Sequence, residues 1–100
     1  MGTRLDLHSE LQEFLQDVYF QPPSNIKMVY PCIVYNKTGK NRHFAADVIY
    51  LSQQGYQITV IDPNPESPVA DAIEEHFQHC SIDRYYTVDN LNHTTLSLYY

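Results

Sequence analysis

The first apolar pattern along the chain is helical. Leu7, Leu11, Phe14, Leu15 and Val18 recur on one side, with Glu10, Gln12, Glu13 and Gln16 opposite them. Thr3 or Asp6 suits the N-cap, so a first helix is expected to end near Asp17. Val18-Tyr19-Phe20 reads as a short extended piece before Gln21-Pro22-Pro23-Ser24-Asn25, where two prolines fix φ and remove donors. Met28 to Tyr35 is almost continuously apolar, the mark of a strand covered on both faces. Pro31 cannot donate to a ladder and marks an edge, a bulge or the strand start, which places the regular part at Cys32 to Asn36.

Asn36 to Phe44 is polar, contains Gly39 and predicts a long mobile loop. A strand is expected over Asp47 to Leu51, then a hairpin turn at Ser52-Gln53-Gln54-Gly55 and a strand from Tyr56 to Asp62. In that strand Tyr56, Ile58 and Val60 alternate with Gln57 and Thr59, whereas Ile61 breaks the polar side and predicts that this side is partly covered. Ser67 and Pro68 open a second helix expected over Pro68 to His79, with Val69, Ala72, Ile73, His76, Phe77 and Cys80 as its apolar stripe. Ile82 to Val88 and Thr94 to Tyr100 read as strands joined by a turn at Asp89-Asn90-Leu91-Asn92. The order predicts one α+β domain over residues 1–100. Its expected form is an antiparallel-rich sheet of about five strands with two helices packed on one face.

Composition narrows the function. A chain of 100 residues with 43% apolar and 18% charged residues has enough apolar material to fold but only a thin core. Nine tyrosines exceed what such a core encloses, and tyrosine suits half-wet subunit interfaces. The formal charge of −6 and the lack of a basic stripe argue against specific nucleic-acid binding. No apolar run approaches a membrane span, no basic amphipathic helix suits a membrane surface, and the Met1–Asp6 stretch lacks the apolar core of a secretory leader. Cys32 and Cys80 read as small apolar thiols of a reducing compartment.

Chemistry-bearing motifs are weak. Three glycines, Gly2, Gly39 and Gly55, build no phosphate loop, and no nucleophile motif is present. His76, His79 and Cys80 are the best metal candidates, but each has a plainer reading in the stripe, at the helix C-terminus or in the core. Asp62, Glu66 and Asp71 form a candidate carboxylate set that strand-end, loop and helix-start roles also explain. No catalytic, cofactor or metal residue is therefore assigned, and a non-enzymatic protein is expected. The candidate residues are instead interface residues: Tyr35, Lys37, Lys40, Arg42, Arg84, Tyr85 and Tyr99.

Four stretches resemble a known family. They are Leu5-Asp6-Leu7-His8-Ser9; Val18 to Pro23 with the Met28-to-Tyr35 strand; Tyr56-Gln57-Ile58-Thr59-Val60-Ile61-Asp62-Pro63-Asn64-Pro65; and Cys80 to Tyr86 with Asp89 to His93 and the Leu98-Tyr99-Tyr100 end. Together they are similar to siphophage tail terminator (tail completion) proteins of the head–tail joining module. The resemblance implies a homo-oligomeric ring, commonly a hexamer, at the head-proximal end of the tail. Its implied partners are copies of itself, the tail tube and the head connector, with DNA passing through the ring, in a virion assembled in the bacterial cytoplasm. A head-closure or minor tail protein of the same module, or a small cytosolic adaptor or inhibitor, are the alternatives. Relatives carry acidic residues in the stretch where this chain has Lys37, Lys40 and Arg42, so the loop contacts do not transfer.

Overall fold

The computed structural model describes residues 3–45 and 48–100, with the backbone alone for residues 40–45 and 48–53. In chain order the elements are α1 (Arg4–Leu11), β1 (Val18–Phe20), β2 (Cys32–Ala45), β3 (Val48–Asp62), α2 (Val69–His76), β4 (Cys80–Val88) and β5 (Leu91–Tyr99). The strands form a single five-stranded mixed sheet in the order β1-β2-β3-β5-β4. β1 runs parallel to β2, and every other neighbouring pair is antiparallel.

The core lies between the helices and one face of the sheet. Ile33 and Tyr35 of β2, Tyr56, Ile58 and Val60 of β3, and Leu96 and Leu98 of β5 meet Leu7 and Leu11 of α1, Ala70 and Ile73 of α2, and Phe77. Burying each such aliphatic side chain contributes about 1.5–3 kcal/mol, so the alternation in β3 and β5 fixes which face turns inward. The other face is covered in part: Cys32, Ile61 and Thr95 are buried there, as the interruption at Ile61 predicted.

Helix α1 begins as its sequence suggests. Thr3 and Asp6 form a reciprocal capping box, each side chain bonding the other's backbone N–H. It ends at Leu11, about a turn and a half before the expected Asp17. The sheet takes the rest: the Asp17 carbonyl accepts the Ile33 N–H at 2.9 Å and Val18 pairs with Ile33, so the chain must leave the helix to reach β1. α2 likewise stops at His76 rather than His79, because Phe77 turns extended. His79 then gives its carbonyl to Tyr99 N–H, and Cys80 opens β4.

The largest departure concerns residues 36–55. The expected mobile loop from Asn36 to Phe44 is the outer half of β2, and the expected turn at Ser52 to Gly55 lies inside β3. The two strands pair from Cys32↔Ile61 out to Ala45↔Val48, with a bulge that sets Thr38 and Gly39 against Gly55. Backbone ladders are indifferent to side-chain polarity, so a polar strand is viable wherever its partner supplies the hydrogen bonds. Asp47, in the expected 47–51 strand, and Ala46, just before it, lie outside the described residues. At the other end, the β4–β5 turn is shorter than expected. Asp89 and Asn90 alone make it, with φ of 52° and 64°, the signature of a type I′ hairpin.

Two polar networks tie the helices down. The hydroxyl of fully buried Tyr35 accepts from Arg4 Nη1 at 3.2 Å and lies 2.7 Å from His8 Nδ1, to which it donates when the imidazole is neutral. Arg4 also lies over the Phe20 ring, 4.4 Å from its centroid. Glu10 accepts from Tyr100 through one oxygen and meets His76 Nε2 at 3.1 Å through the other, joining α1 to α2 and to the end of β5. Burial, with the Glu10 hydrogen bond, pushes the Tyr100 phenol up to about 12.

Burial, and then the charge of Arg4, hold His8 below its ordinary value of 6.5. The unfolded chain therefore binds the extra proton first as pH falls. This contribution to stability is whole above about pH 6.5 and is lost as pH drops through the lower folded value. The urea midpoint of the wild type should fall between about pH 7.5 and about pH 5, and His8→Asn should flatten that slope.

Candidate assembly surface

Three features outside the core define the surface most suited to contacts. The first is an arm. β5 pairs with β3 only from Gly55↔Tyr99 to Asp62↔Asn92. Beyond Gly55, β3 has β2 as its one strand partner among the described residues, over the pairs Lys40↔Gln54 to Ala45↔Val48. The long axis of the molecule is 50 Å against 26 and 22 Å, which is the length expected of fifteen extended residues at about 3.3 Å each. The two-stranded ribbon therefore projects past the part of the domain where β5 joins the sheet.

The second is the rim formed by β4, an edge strand of the sheet. Tyr85 is 70% exposed, and Tyr86 and Val88 also face solvent. Arg84 lies over the Tyr86 ring at 5.1 Å, and Tyr86 in turn stacks on His93 with centroids 4.7 Å apart and planes 14° from parallel. A bulge between Ile82 and Arg84 permits this, and Asp83 in the bulge accepts the Ser97 hydroxyl. The stack is a flat, cationic-ended aromatic plate fixed by hairpin register.

The third is a cleft of about 410 Å³ between the loop that precedes α2 and the β4–β5 hairpin. Asp62, Glu66 and Asp71 line it, together with Tyr85, Tyr86 and His93. The loop is held by side chain to backbone bonds: Asn64 N–H donates to Asp62 Oδ1, Glu66 N–H to Asn64 Oδ1, and Asn92 Nδ2 to the carbonyls of Asp62 and Pro63. The carboxylates share a wall without converging: among the described residues, no three His, Cys, Asp or Glu side chains are placed to hold a metal.

The expected interface residues divide. Arg84, Tyr85 and Tyr99 are exposed, Tyr99 beside Gly55 at the root of the arm. Lys37 is exposed at the same root, its N–H donating to Gln21 Oε1. The side chains of Lys40 and Arg42 lie outside the described residues, though their backbone sits in the arm. Tyr35 is corrected: it is wholly buried and serves the core. Composition could not separate it from the exposed tyrosines, because its apolar strand offers no polar face to read against.

The His76, His79 and Cys80 set is also separated, since α2 ends before His79 and His76 is engaged by Glu10. Burial pushes both thiols, Cys32 and Cys80, up to about 11, so they are protonated and poorly nucleophilic near neutral pH. Tyr86, His93 and Gly55 were missed as site residues. The Asp89-Asn90 pair was the available signal, since a two-residue turn there forces Tyr86 opposite His93. Compared with known proteins, the chain matches no family model, and no curated protein shows significant sequence similarity to it.

Proposed function

We propose that this protein is a non-enzymatic structural subunit that assembles with copies of itself into a ring, acting as a tail terminator or tail completion protein that joins a phage tail to the capsid connector. The observation that carries the reading is the β2–β3 arm. An isolated two-stranded ribbon is at best marginally stable in water, so an arm of this length is expected to be ordered by what it docks against. The edge strand β4, with exposed Tyr85, Tyr86 and Val88, supplies aromatic surface of the kind interfaces use. The α+β subunit and the resemblance in sequence support the same reading, and the high thiol pKa values speak against cysteine chemistry. Partners are the chain itself, the tail tube and the connector, in the virion.

The test is sedimentation of the purified chain over a range of concentrations. The wild type should associate, and a variant with residues 40–53 replaced by a two-residue Asn-Gly turn should remain folded by circular dichroism but monomeric. A wild type that stays monomeric throughout would refute assembly. Electron microscopy of particles lacking the protein then separates the roles: overlong or ragged tails fit a terminator, whereas leaking tailless heads move the protein to the connector.

A further inference from the structure

We propose that β4 of one copy adds as a third strand to the arm of the next, pairing its open edge head to tail with residues 40–45 of β2. The inference rests on the assembly reading above and names the contact that forms the ring.

The arm lacks a strand on its β2 side. β1 covers β2 only at Ile33 to Tyr35, and Gln21 Oε1 takes the N–H of Lys37 just beyond. From Lys40 to Ala45, β3 is the one strand partner of β2 among the described residues. The β3 side of the arm suits pairing less well. His43 pairs with Leu51 and Phe44 with Ile49, which leaves Tyr50 as an extra residue in β3, and a bulge blunts an edge. The β2 edge runs unbroken from Lys40 to Ala45, about 20 Å of extended backbone. A ribbon of two strands is marginal alone, and a third strand stabilises it.

β4 is the edge that fits. Val88 and Leu91 flank a two-residue turn and so form a hydrogen-bonded pair. Bonded and non-bonded pairs alternate along an antiparallel ladder. Tyr86↔His93 and Arg84↔Thr95 are then bonded pairs, and Tyr85 and Thr87 turn both backbone groups outward. The bulge at Asp83 confines the regular edge to Arg84–Val88, all of it exposed, with no lysine or proline to guard it. β1, the opposite edge of the sheet, offers three residues, all half-buried. Strand addition binds through main-chain hydrogen bonds, and the exposed Tyr85 and Val88 add apolar cover.

Topology makes the contact intermolecular. β3 and β5 stand between β2 and β4. The arm leaves at Gly55, which faces Tyr99 near the Cys80 end of β4. Arg84–Val88 lie toward the other end, where Asp62 faces Asn92. The arm therefore points away from its own open edge. Because the two paired edges differ, the contact is heterologous, and its repetition closes a ring when the rotation allows.

Hydrogen exchange of the full chain, below and above its association concentration, reads the pairing directly. Amides within residues 40–45 and within residues 84–88 should both slow on association. Two variants test the direction by sedimentation. One is the replacement of residues 40–53 by Asn-Gly. The other is Thr87→Pro, which removes an outward N–H and spares the β4–β5 ladder; it should associate about tenfold more weakly or worse. At a concentration where the wild type just assembles, each variant alone should be monomeric. A one-to-one mixture should form a heterodimer and stop there, since one variant supplies only the edge and the other only the arm. That heterodimer also proves that both variants fold. Self-association of the armless variant, as in β4-to-β4 pairing, or wild-type-like association of Thr87→Pro overturns the contact. So does an associating wild type in which only one of the two segments slows, or neither; assembly itself then stands. A wild type that never associates overturns both.

Discussion

Replacing Tyr35 with alanine should remove a large share of the stability of the fold and lower its urea midpoint steeply. Tyr35 is fully buried at the centre of the inner face, with the Phe20 ring 4.9 Å away, Tyr56 at 6.0 Å and His8 at 5.6 Å. Truncating a buried aromatic residue costs about 3–5 kcal/mol in lost transfer energy and cavity. The total stability of a domain this size is on the order of 5–10 kcal/mol, so the loss is a large share of it. Tyr35→Phe should cost less, about 1–2 kcal/mol, because only the hydroxyl between Arg4 and His8 disappears. Urea unfolding followed by circular dichroism measures both. The alternative expectation, in which Tyr35 makes subunit contacts, has a different outcome: substitution would weaken association and leave the urea midpoint of the monomer unchanged.

That contrast shows what periodicity can and cannot supply. Leu96 and Leu98 in β5, and Ile58 and Val60 in β3, alternate with polar residues, and their side of the sheet was legible at once. Cys32-Ile33-Val34-Tyr35 has no polar partner positions. Only its register against β3, Ile33↔Val60 and Tyr35↔Ile58, says which side chains turn toward the helices. The helix ends were misplaced for a related reason. Phe14, Leu15 and Val18 continue a helical spacing, but parallel pairing of Val18 with Ile33 is a long-range demand that local spacing does not contain. The arm is the same lesson at larger scale. Gly39 and the Ser52-to-Gly55 stretch carry turn chemistry, yet Gly39 and Gly55 lie at a bulge.

The assembly surface was legible in part. Arg84 and Tyr85 stood out because a strand with two adjacent tyrosines and a charged pair cannot bury both faces, and both are exposed. Asp62, Glu66 and Asp71 were visible as acids, but their common wall depends on α2 packing beside the β4–β5 hairpin, a contact between segments distant in sequence. A metal reading of the same carboxylates needs convergence, whereas an electrostatic docking surface needs only shared sign. Among the described residues the carboxylates line one cleft without converging on a metal position.

Gly55→Val should loosen the root of the arm and cost about 1–3 kcal/mol. A Cβ at Gly55 would lie 2.5 Å from the Gly39 carbonyl oxygen, 2.5 Å from Thr38 Oγ1 and 3.1 Å from Tyr99 Cε1. The threonine and tyrosine side chains can rotate away. The carbonyl belongs to the backbone of the facing strand, so the bulge itself must open, and Lys37↔Tyr56 and Lys40↔Gln54 lose register together. Hydrogen exchange should accelerate through both strands of the arm while the Leu96–Leu98 segment of β5 stays protected, because local opening need not reach the core. Gly39→Ala is the internal control. A Cβ there meets nothing within 4 Å, so stability should change by no more than about 0.5 kcal/mol. Equal effects at the two glycines would mean that the strands do not approach as described, and the arm would lose its fixed direction.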